Sequence, residues 1–376
     1  MRSAALALAL LVSAGAPVLA EGEQPVPAPP APVVAPPPPP AEPPPAPAPS
    51  PPPAAPSEPP WSLDLTVRDV GVGIGNSRHV DGLRLNFRDF GPSTVHGINV
   101  TLWNPVEPAQ GSVAGLSLGL PLTGSGDIRG VAIGLGVQAT RSLDGVILAP
   151  LGAGSGKGIH GLVVAGLGAG TGGDVAGIVL AGLGVGAGGD LTGLVVAGLG
   201  AGSGGDVTGI VAGGLGVGAG KRVRGIAIGG LGVGAGGSIE GIAIGGFGVG
   251  TGGSVRGLAI GGFGVGAGDT IQGLAIGGFG VGAPKIEGVT LSLAAGGKEV
   301  TGLVLAPAFF SVEENGRFTG VAVSAVNRSL GEQHGLVIGV FNYAAQLHGV
   351  QLGLLNWAGN NRSGLKLLPL VNVHVD

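Results

Sequence analysis

The chain has 376 residues, of which 83 are glycine and 30 are proline, with 3% aromatic residues, 11% charged residues and a formal net charge of −4. These glycine and proline contents exclude an ordinary globular enzyme and predict a repetitive or low-complexity architecture. The sparse charge forms no basic stripe, so we expect no nucleic-acid partner. The chain has no cysteine, which excludes disulfide bonds and thiolate chemistry.

Residues 1–20 have the composition of an export signal. Arg2 supplies a positive charge, the run from Ala4 to Val12 is apolar, and small residues end at Ala20, just before the first acidic residue. We therefore predict cleavage after Ala20 and export of the mature protein. The expected location is the cell surface or the outer membrane, with the periplasm as an alternative.

Residues 21–60 are dominated by proline, interspersed with Ala, Val, Ser and Glu. Proline fixes φ and removes the amide donor, so neither a helix nor a sheet is expected here. We predict a disordered, polyproline II-like tether that separates the following domain from the cell envelope.

Residues 61–376 are predicted to be one glycine-rich β repeat domain. A short motif, in which glycine is followed by alternating apolar residues, recurs every sixteen residues between about 159 and 286, and more loosely on both sides. We call its first residue the register glycine. The register glycines are Gly82, Gly97, Gly115, Gly130, Gly145, Gly161, Gly177, Gly193, Gly209, Gly225, Gly241, Gly257, Gly273, Gly288, Gly302, Gly320, Gly335, Gly349 and Gly364.

The unit from Gly241 to Arg256 illustrates the predicted coil. Alternation at Ile242 and Ile244, and again at Phe247 and Val249, indicates two short strands whose large side chains point inward. Glycine destabilises helices, which excludes a helical repeat. Corners are expected at the two Gly-Gly pairs of the unit, with positive φ angles: Gly245-Gly246 and Gly252-Gly253.

These features favour an all-β fold, a β-solenoid of about 15–16 residues per coil in which each coil pairs in parallel with the next. The alternative is a large outer-membrane β-barrel that conducts solutes, with one antiparallel strand per unit. Breaks in the alternation and the scarcity of aromatic residues in the central units favour the solenoid.

The two ends of the repeat domain differ from its centre. Asn replaces Gly seven residues after several outer register glycines, which predicts a left-handed backbone position and a possible ladder of stacked side chains: Asn104, Asn327, Asn342 and Asn356. Most aromatic residues also lie near the ends and are interpreted as capping coils: Trp61, Trp103, Phe309, Phe310, Phe341, Tyr343 and Trp357.

Segments near both ends resemble a known repeat. Gly349–Asn356 and Gly335–Asn342 are similar to the repeat of the Leptospira-type bacterial surface-repeat proteins, and Val80–Asn86 and Leu368–Asn372 are similar to that family's start and close. The central units depart from it by replacing Gln and Asn with Ala and Gly. The resemblance implies a surface or outer-membrane location, and it supplies no catalytic residues.

Three sets of residues are candidates for ligand-binding sites. Asp174, Asp190 and Asp206 recur every sixteen residues and are candidate calcium ligands, although the rest of a calcium-repeat pattern is missing. Four histidines precede register glycines, and two of them are expected on adjacent coils as a possible metal pair: His96, His160, His334 and His348. Gly152–Gly158 resembles a phosphate-binding loop but lacks its first Gly and its Ser/Thr, so we interpret it as a solvated corner.

No catalytic constellation or cofactor fingerprint is evident in the sequence, so neither enzymatic activity nor a cofactor is expected. The sequence favours a structural or adhesive role at the cell surface or outer membrane. The expected partner belongs to the cell envelope or lies outside the cell, and its identity is left open.

Overall fold

The computed structural model describes residues 61–89, 93–103 and 110–375. The predictions for residues 1–20, for residues 21–60 and for Asn104 lie outside the described residues. The described residues form a β-solenoid of about 16 turns without a helix. The predicted fold class is therefore confirmed.

The strands follow the repeat. The entry contains β1 (Ser62–Val67), β2 (Val70–Gly75), β3 (His79–Asn86), β4 (Ser93–Thr101) and the long, bent β5 (Gly111–Ala149). In the centre, short and long strands alternate: β6 (Gly152–Ser155), β7 (Gly158–Ala165), β8 (Gly168–Thr171), β9 (Asp174–Ala181), β10 (Gly184–Ala187), β11 (Leu191–Ala197), β12 (Gly200–Ser203), β13 (Val207–Gly213), β14 (Gly216–Ala219), β15 (Val223–Gly229), β16 (Gly232–Ala235), β17 (Ile239–Gly245), β18 (Gly248–Thr251), β19 (Val255–Gly261), β20 (Gly264–Ala267), β21 (Thr270–Gly277) and β22 (Gly280–Gly282). The exit contains β23 (Lys285–Leu291), β24 (Ala294–Leu305), β25 (Phe309–Val323), β26 (Val326–Ala358) and β27 (Leu367–His374).

Consecutive coils pair in parallel and in register. Strand β17 pairs with β19 so that Gly241 lies opposite Gly257, and β18 pairs with β20 so that Val249 lies opposite Val265. The corner residues continue the pairing, since the Phe247 amide donates to the Leu231 carbonyl at 2.6 Å. A barrel with one antiparallel strand per unit would require the opposite pairing, so that alternative is wrong.

The register glycines have positive φ angles, and neighbouring ones contact each other. Gly241 has a φ of 123°, and a Cβ atom there would collide with the carbonyl oxygen of Gly225. Both constraints apply in coil after coil, which explains why only glycine occurs in this column. Gly364 also has positive φ, but a Cβ atom there would meet no atom within 4 Å. It lies between β26 and β27, where the chain turns back so that the two strands pair antiparallel.

The corner glycines Gly246 and Gly253 do not have the positive φ that was predicted from the sequence. Glycine is nevertheless required at Gly246, where a Cβ atom would collide with the carbonyl oxygen of Gly230 in the preceding coil. At Gly253 a Cβ atom would lie 2.8 Å from the carbonyl oxygen of Gly237. The corners therefore need glycine because two backbones approach closely.

The interior is built from columns of stacked residues. One column lies two residues before each central register glycine and holds Val, Ile or Leu, as at Ile239. A second lies two residues after it and changes from Val in the earlier coils to Ala in the later ones, as at Val195 and Ala243. A third belongs to the short strands and includes Val249. All three columns are almost fully buried, so the core is continuous along the central coils.

The Asn residues near the exit occupy the third core column and not the glycine column. Asn327 lies opposite Phe310, which lies opposite Ala295, and Ala295 lies opposite Val281. The exit units are one residue shorter at this corner, so counting from the register glycine misaligned them. The predicted left-handed backbone is wrong for Asn327, Asn342 and Asn356, none of which has positive φ.

Candidate functional site: an exposed apolar face

The central coils carry large apolar side chains on their outer surface. On each long strand the residues one and three after the register glycine point outward; they are exposed in the earlier coils, for example Leu194 at 38% and Val196 at 42%, and partly buried in the later ones. We call the surface formed by these two columns and the adjoining corner column the apolar face. The corner column, which we call the ridge, contains Leu151, Leu167, Leu183, Leu199, Leu215, Leu231, Phe247, Phe263 and Phe279.

This arrangement corrects the predicted direction of the side chains. Only Val249 of the four residues expected to point inward is buried, whereas Ile242 and Ile244 are partly exposed and Phe247 is 55% exposed. Ile239 and Ala243 fill the interior of the same coil. The prediction assumed that the largest apolar side chains lie inside, whereas in this unit the inward position holds Ala and the outward positions hold Ile.

The ridge is ordered by stacking of its aromatic rings. The ring centroids of Phe247 and Phe263 are 5.1 Å apart, with 4° between their planes, and those of Phe263 and Phe279 are 4.9 Å apart. These separations match the spacing of neighbouring strands, about 4.8 Å. The fold therefore holds the three rings in one regular row.

The edge of the apolar face carries a column of polar residues that directly precede the register glycines. Glu240 pairs with Arg224 at 3.3 Å and with Arg256 at 3.4 Å. Near the entry, two histidines of the same column form hydrogen bonds with aspartates of the preceding coil. The Nδ1 atom of His96 lies 2.8 Å from a carboxylate oxygen of Asp81, and that of His160 lies 2.8 Å from one of Asp144. These charges are thus paired between coils.

The short strands carry a different outer surface, made of glycine alone. A Cβ atom at Gly218, Gly250 or Gly266 would meet no atom within 4 Å. We call this surface the glycine face. These three positions can accept a Cβ atom without steric conflict, so they offer sites for control substitutions on the short strands, away from the apolar face.

The three candidate aspartates lie in one column, as the sixteen-residue spacing predicted. The Asp174 carboxylate accepts a hydrogen bond from the Asp190 amide at 2.7 Å, and Asp190 accepts one from the Asp206 amide at 2.8 Å. Asp206 pairs with Arg222 at 2.7 Å, and this guanidinium lowers the pKa of the carboxyl below its usual range. Each carboxylate is thus used to tie one coil to the next.

The structure brings His334 and His348 together on adjacent coils, as expected. Their rings stack with centroids 4.6 Å apart, and the His334 ring lies 3.1 Å from Glu332. Hydrogen bonds from His334 and then Arg317 lower the pKa of the Glu332 carboxyl. Within residues 61–89, 93–103 and 110–375, no group of three or more His, Asp or Glu side chains is arranged to hold a metal ion.

The phosphate-loop-like segment is part of the repeat. Gly152–Ser155 forms β6, and the Ser155 hydroxyl donates to the Gly158 carbonyl at 2.8 Å across the corner that contains Lys157. This hydrogen bond joins the two residues that flank the corner. The segment is therefore strand and corner, with no helix after it.

The two ends of the solenoid contain polar networks in the interior. At the entry, the buried Arg84 forms a two-pronged pair with Asp89 at 2.9 and 3.0 Å and also reaches Asn99 at 3.2 Å. At the exit, Asn327 donates to Asn342 at 2.8 Å and Asn342 donates to Asn356 at 2.7 Å. The asparagine ladder proposed from the sequence is therefore present between these three residues.

Comparison of the chain with protein-family models, with curated proteins and with solved structures finds no match. In the described part of the chain, no helix has the length and apolar character needed to cross a membrane. The exposed apolar face is the feature that the sequence reasoning missed. Its signal was the continuation of the alternation backwards to Ile239, which places Ile242 on the opposite side of the strand.

Proposed function

We propose that this chain is a non-enzymatic, exported repeat protein of the cell surface or outer membrane, with a structural or adhesive role that it performs through its apolar face. The observation that carries the proposal is the continuity of that face along the central coils. The largest exposed apolar patch of a typical soluble monomer covers about 300–600 Å², and larger patches mark interaction surfaces.

The dimensions of the face exceed that range. The ridge from Leu151 to Phe279 extends over about eight coil steps, or roughly 40 Å, and the chain from Ile242 around the corner to Phe247 is roughly 17 Å long. The contiguous band is therefore about 700 Å² when laid out flat, part of it on the long strands and part on the corner. A solenoid without a partner would leave this surface in contact with water, at a cost of about 25 cal/mol per Å².

Export is supported by the composition of residues 1–20, and separation from the envelope by the proline-rich residues 21–60. The rigidity of the face fits a structural or adhesive role better than a catalytic one, because its side chains carry no acid, base or nucleophile. The resemblance of the end coils to bacterial surface-repeat proteins agrees with this assignment.

The absence of cysteine allows a direct test on intact cells. Phe247→Cys and Gly250→Cys each introduce a single thiol, one on the ridge and one on the glycine face, and both side chains point away from the core. Cells that export either variant are treated with a membrane-impermeant maleimide. We expect rapid labelling of Gly250→Cys and at least tenfold slower labelling of Phe247→Cys, because a partner covers the ridge.

Equal, rapid labelling of both variants would show that nothing covers the apolar face and would overturn the interaction role. Labelling of neither variant on intact cells, with labelling of both after lysis, would overturn the surface location. Detection of Glu21 as the N-terminal residue of the exported chain is the accompanying check on cleavage.

A further inference from the structure

The size of the apolar face matches one side of a protein dimer. A stable protein interface of standard size buries about 800 Å² on each partner. The apolar face covers about 700 Å² when laid out around the corner, and its protruding Leu and Phe side chains add to the area that a partner would bury. A partner of the same length could therefore cover it if its surface follows the corner between the long strands and the ridge.

The charges along the edge favour a protein partner over an anionic lipid surface. A lipid-binding face is bordered by Lys and Arg that are free to contact headgroups. Here Arg224 and Arg256 are both paired with Glu240, and the middle of the edge carries no charge at Ala176, Thr192 and Thr208. The edge thus supplies no basic border.

The two halves of the face complement each other. The ridge has Leu from Leu151 to Leu231 and Phe from Phe247 to Phe279. If two copies face each other with opposite directions around Leu215, Leu151 of one copy lies opposite Phe279 of the other. The same rotation places Glu240 opposite Ala176 and Arg224 opposite Thr192, so that these two charges meet uncharged residues, and it places Arg256 opposite His160, which contacts Asp144.

From the area, the edge charges and this complementarity, we infer that the apolar face binds the apolar face of a second copy of this chain, as a twofold dimer with antiparallel solenoid axes centred at Leu215. The inference rests on the proposed function and names the partner of the same surface. A twofold contact of this kind is closed and self-complementary, so it stops at two copies. The stacked Phe rings are already ordered, which lowers the entropic cost of association.

The first experiment measures the mass of the purified exported chain at about 10 μM by sedimentation. We expect the mass of two copies for the wild type and of one copy for the triple variant Phe247→Ser, Phe263→Ser and Phe279→Ser, with dimerisation weakened at least about 100-fold. The control is the triple variant Gly218→Val, Gly250→Val and Gly266→Val on the glycine face, which should remain dimeric. Circular dichroism and urea unfolding establish that both variants are folded.

The second experiment tests the geometry with a short thiol cross-linker. Leu215→Cys should cross-link to itself, because the centre of each copy meets the centre of the other. Phe279→Cys alone should not, because four coil steps on either side of the centre separate the two thiols by roughly 38 Å. A mixture of Leu151→Cys and Phe279→Cys should cross-link.

A monomeric wild type would overturn the dimer, and so would cross-linking of Phe279→Cys to itself, which indicates parallel axes. Loss of the dimer only in the glycine-face variant would assign the contact to the other surface. Binding of monomers to neutral phosphatidylcholine vesicles would assign the face to lipid. If the wild type is monomeric while Phe247→Cys is still protected on cells, the dimer fails and the proposed interaction role stands.

Discussion

The central coils and the two ends of the solenoid use the same backbone but fill it differently. In the centre the core columns contain Val, Ile, Leu and Ala, and the polar side chains lie outside. At the entry, the column that holds Val195 and Ala243 in the centre continues with Arg84 and Asn99. At the exit, the column that holds Val249 continues with Asn327.

The apolar centre contributes stability, whereas the polar ends contribute specificity in how the coils align. Apolar coils of nearly identical sequence can stack on one another in more than one alignment, because a shift by a whole coil replaces each side chain by a similar one. A hydrogen-bonded network has only one satisfied arrangement, so a shifted ladder leaves buried polar groups unpaired, at about 1–3 kcal/mol each. We interpret the polar ends as the features that fix which coil is first and which is last.

The largest effect is expected from Arg84→Met, which removes the cation from the buried entry network. Asp89 would keep its charge in a buried position without the guanidinium that binds both of its oxygens. Breaking a buried pair in this way costs about 3–5 kcal/mol. Urea unfolding measures the loss, and the double variant Arg84→Met, Asp89→Leu should recover part of it, since no charge then remains unpaired.

Asn342→Ala should be the next most damaging change, because it interrupts the exit ladder in the middle. Asn342 accepts from Asn327 and donates to Asn356, so two buried partners lose a hydrogen bond and a cavity forms. We expect a loss of about 2–4 kcal/mol. The matched control is Val249→Ala in the same core column, expected to cost about 1–2 kcal/mol. Equal losses in urea unfolding would contradict the distinction between polar ends and apolar centre.

A third change tests what the two regions share. Gly241→Ala in the centre and Gly335→Ala near the exit both place a Cβ atom against a carbonyl oxygen of the preceding coil at positive φ. Each should cost about 2–3 kcal/mol. Gly250→Ala, where no atom lies within 4 Å, should be neutral or slightly stabilising. Thermal unfolding of the three variants gives the comparison, and a harmless Gly335→Ala would show that the exit coils relax where the central coils do not.

The smallest effect is expected from Arg222→Ala, which removes a surface ion pair of the centre. Arg222 lowers the pKa of Asp206 in the folded protein, so the pair stabilises the fold above the unfolded carboxyl pKa, about 3.9, and loses this effect as the pH falls through the folded pKa. Urea unfolding should show a small deficit for the variant at pH 7 that shrinks as the pH is lowered below about 3.9. Lys221→Ala is the neighbouring control, and a deficit that does not change with pH would assign the effect to packing.

The repeat length and the strand positions could be predicted from the sequence because glycine recurs at fixed spacing and apolar residues alternate within each unit. Parallel pairing was the favoured prediction, and the structure confirms it over the antiparallel barrel, since equivalent residues of consecutive coils lie opposite each other, as Gly241 and Gly257 do. The stacking of Asp174, Asp190 and Asp206 and the adjacency of His334 and His348 were consequences of that register.

The direction of the side chains could not be predicted in the same way. Period-two alternation states that Ile242 and Ala243 point to opposite sides, but it does not state which side is the interior. The usual preference for large apolar residues inside gave the wrong side, since Ala243 is buried and Ile242 is partly exposed. The location of the apolar face, which is the candidate functional site, therefore depended on the structure.

The sequence by itself determined the sixteen-residue register and favoured the solenoid over the barrel, because both follow from residues repeated at constant spacing. Tertiary structure alone decided which face is buried, that the exit asparagines enter the core column of Val249, and that β27 turns back antiparallel on β26. These outcomes depend on how much space one coil leaves for the next. That space is set by the contacts between coils, which a single unit of the sequence does not contain.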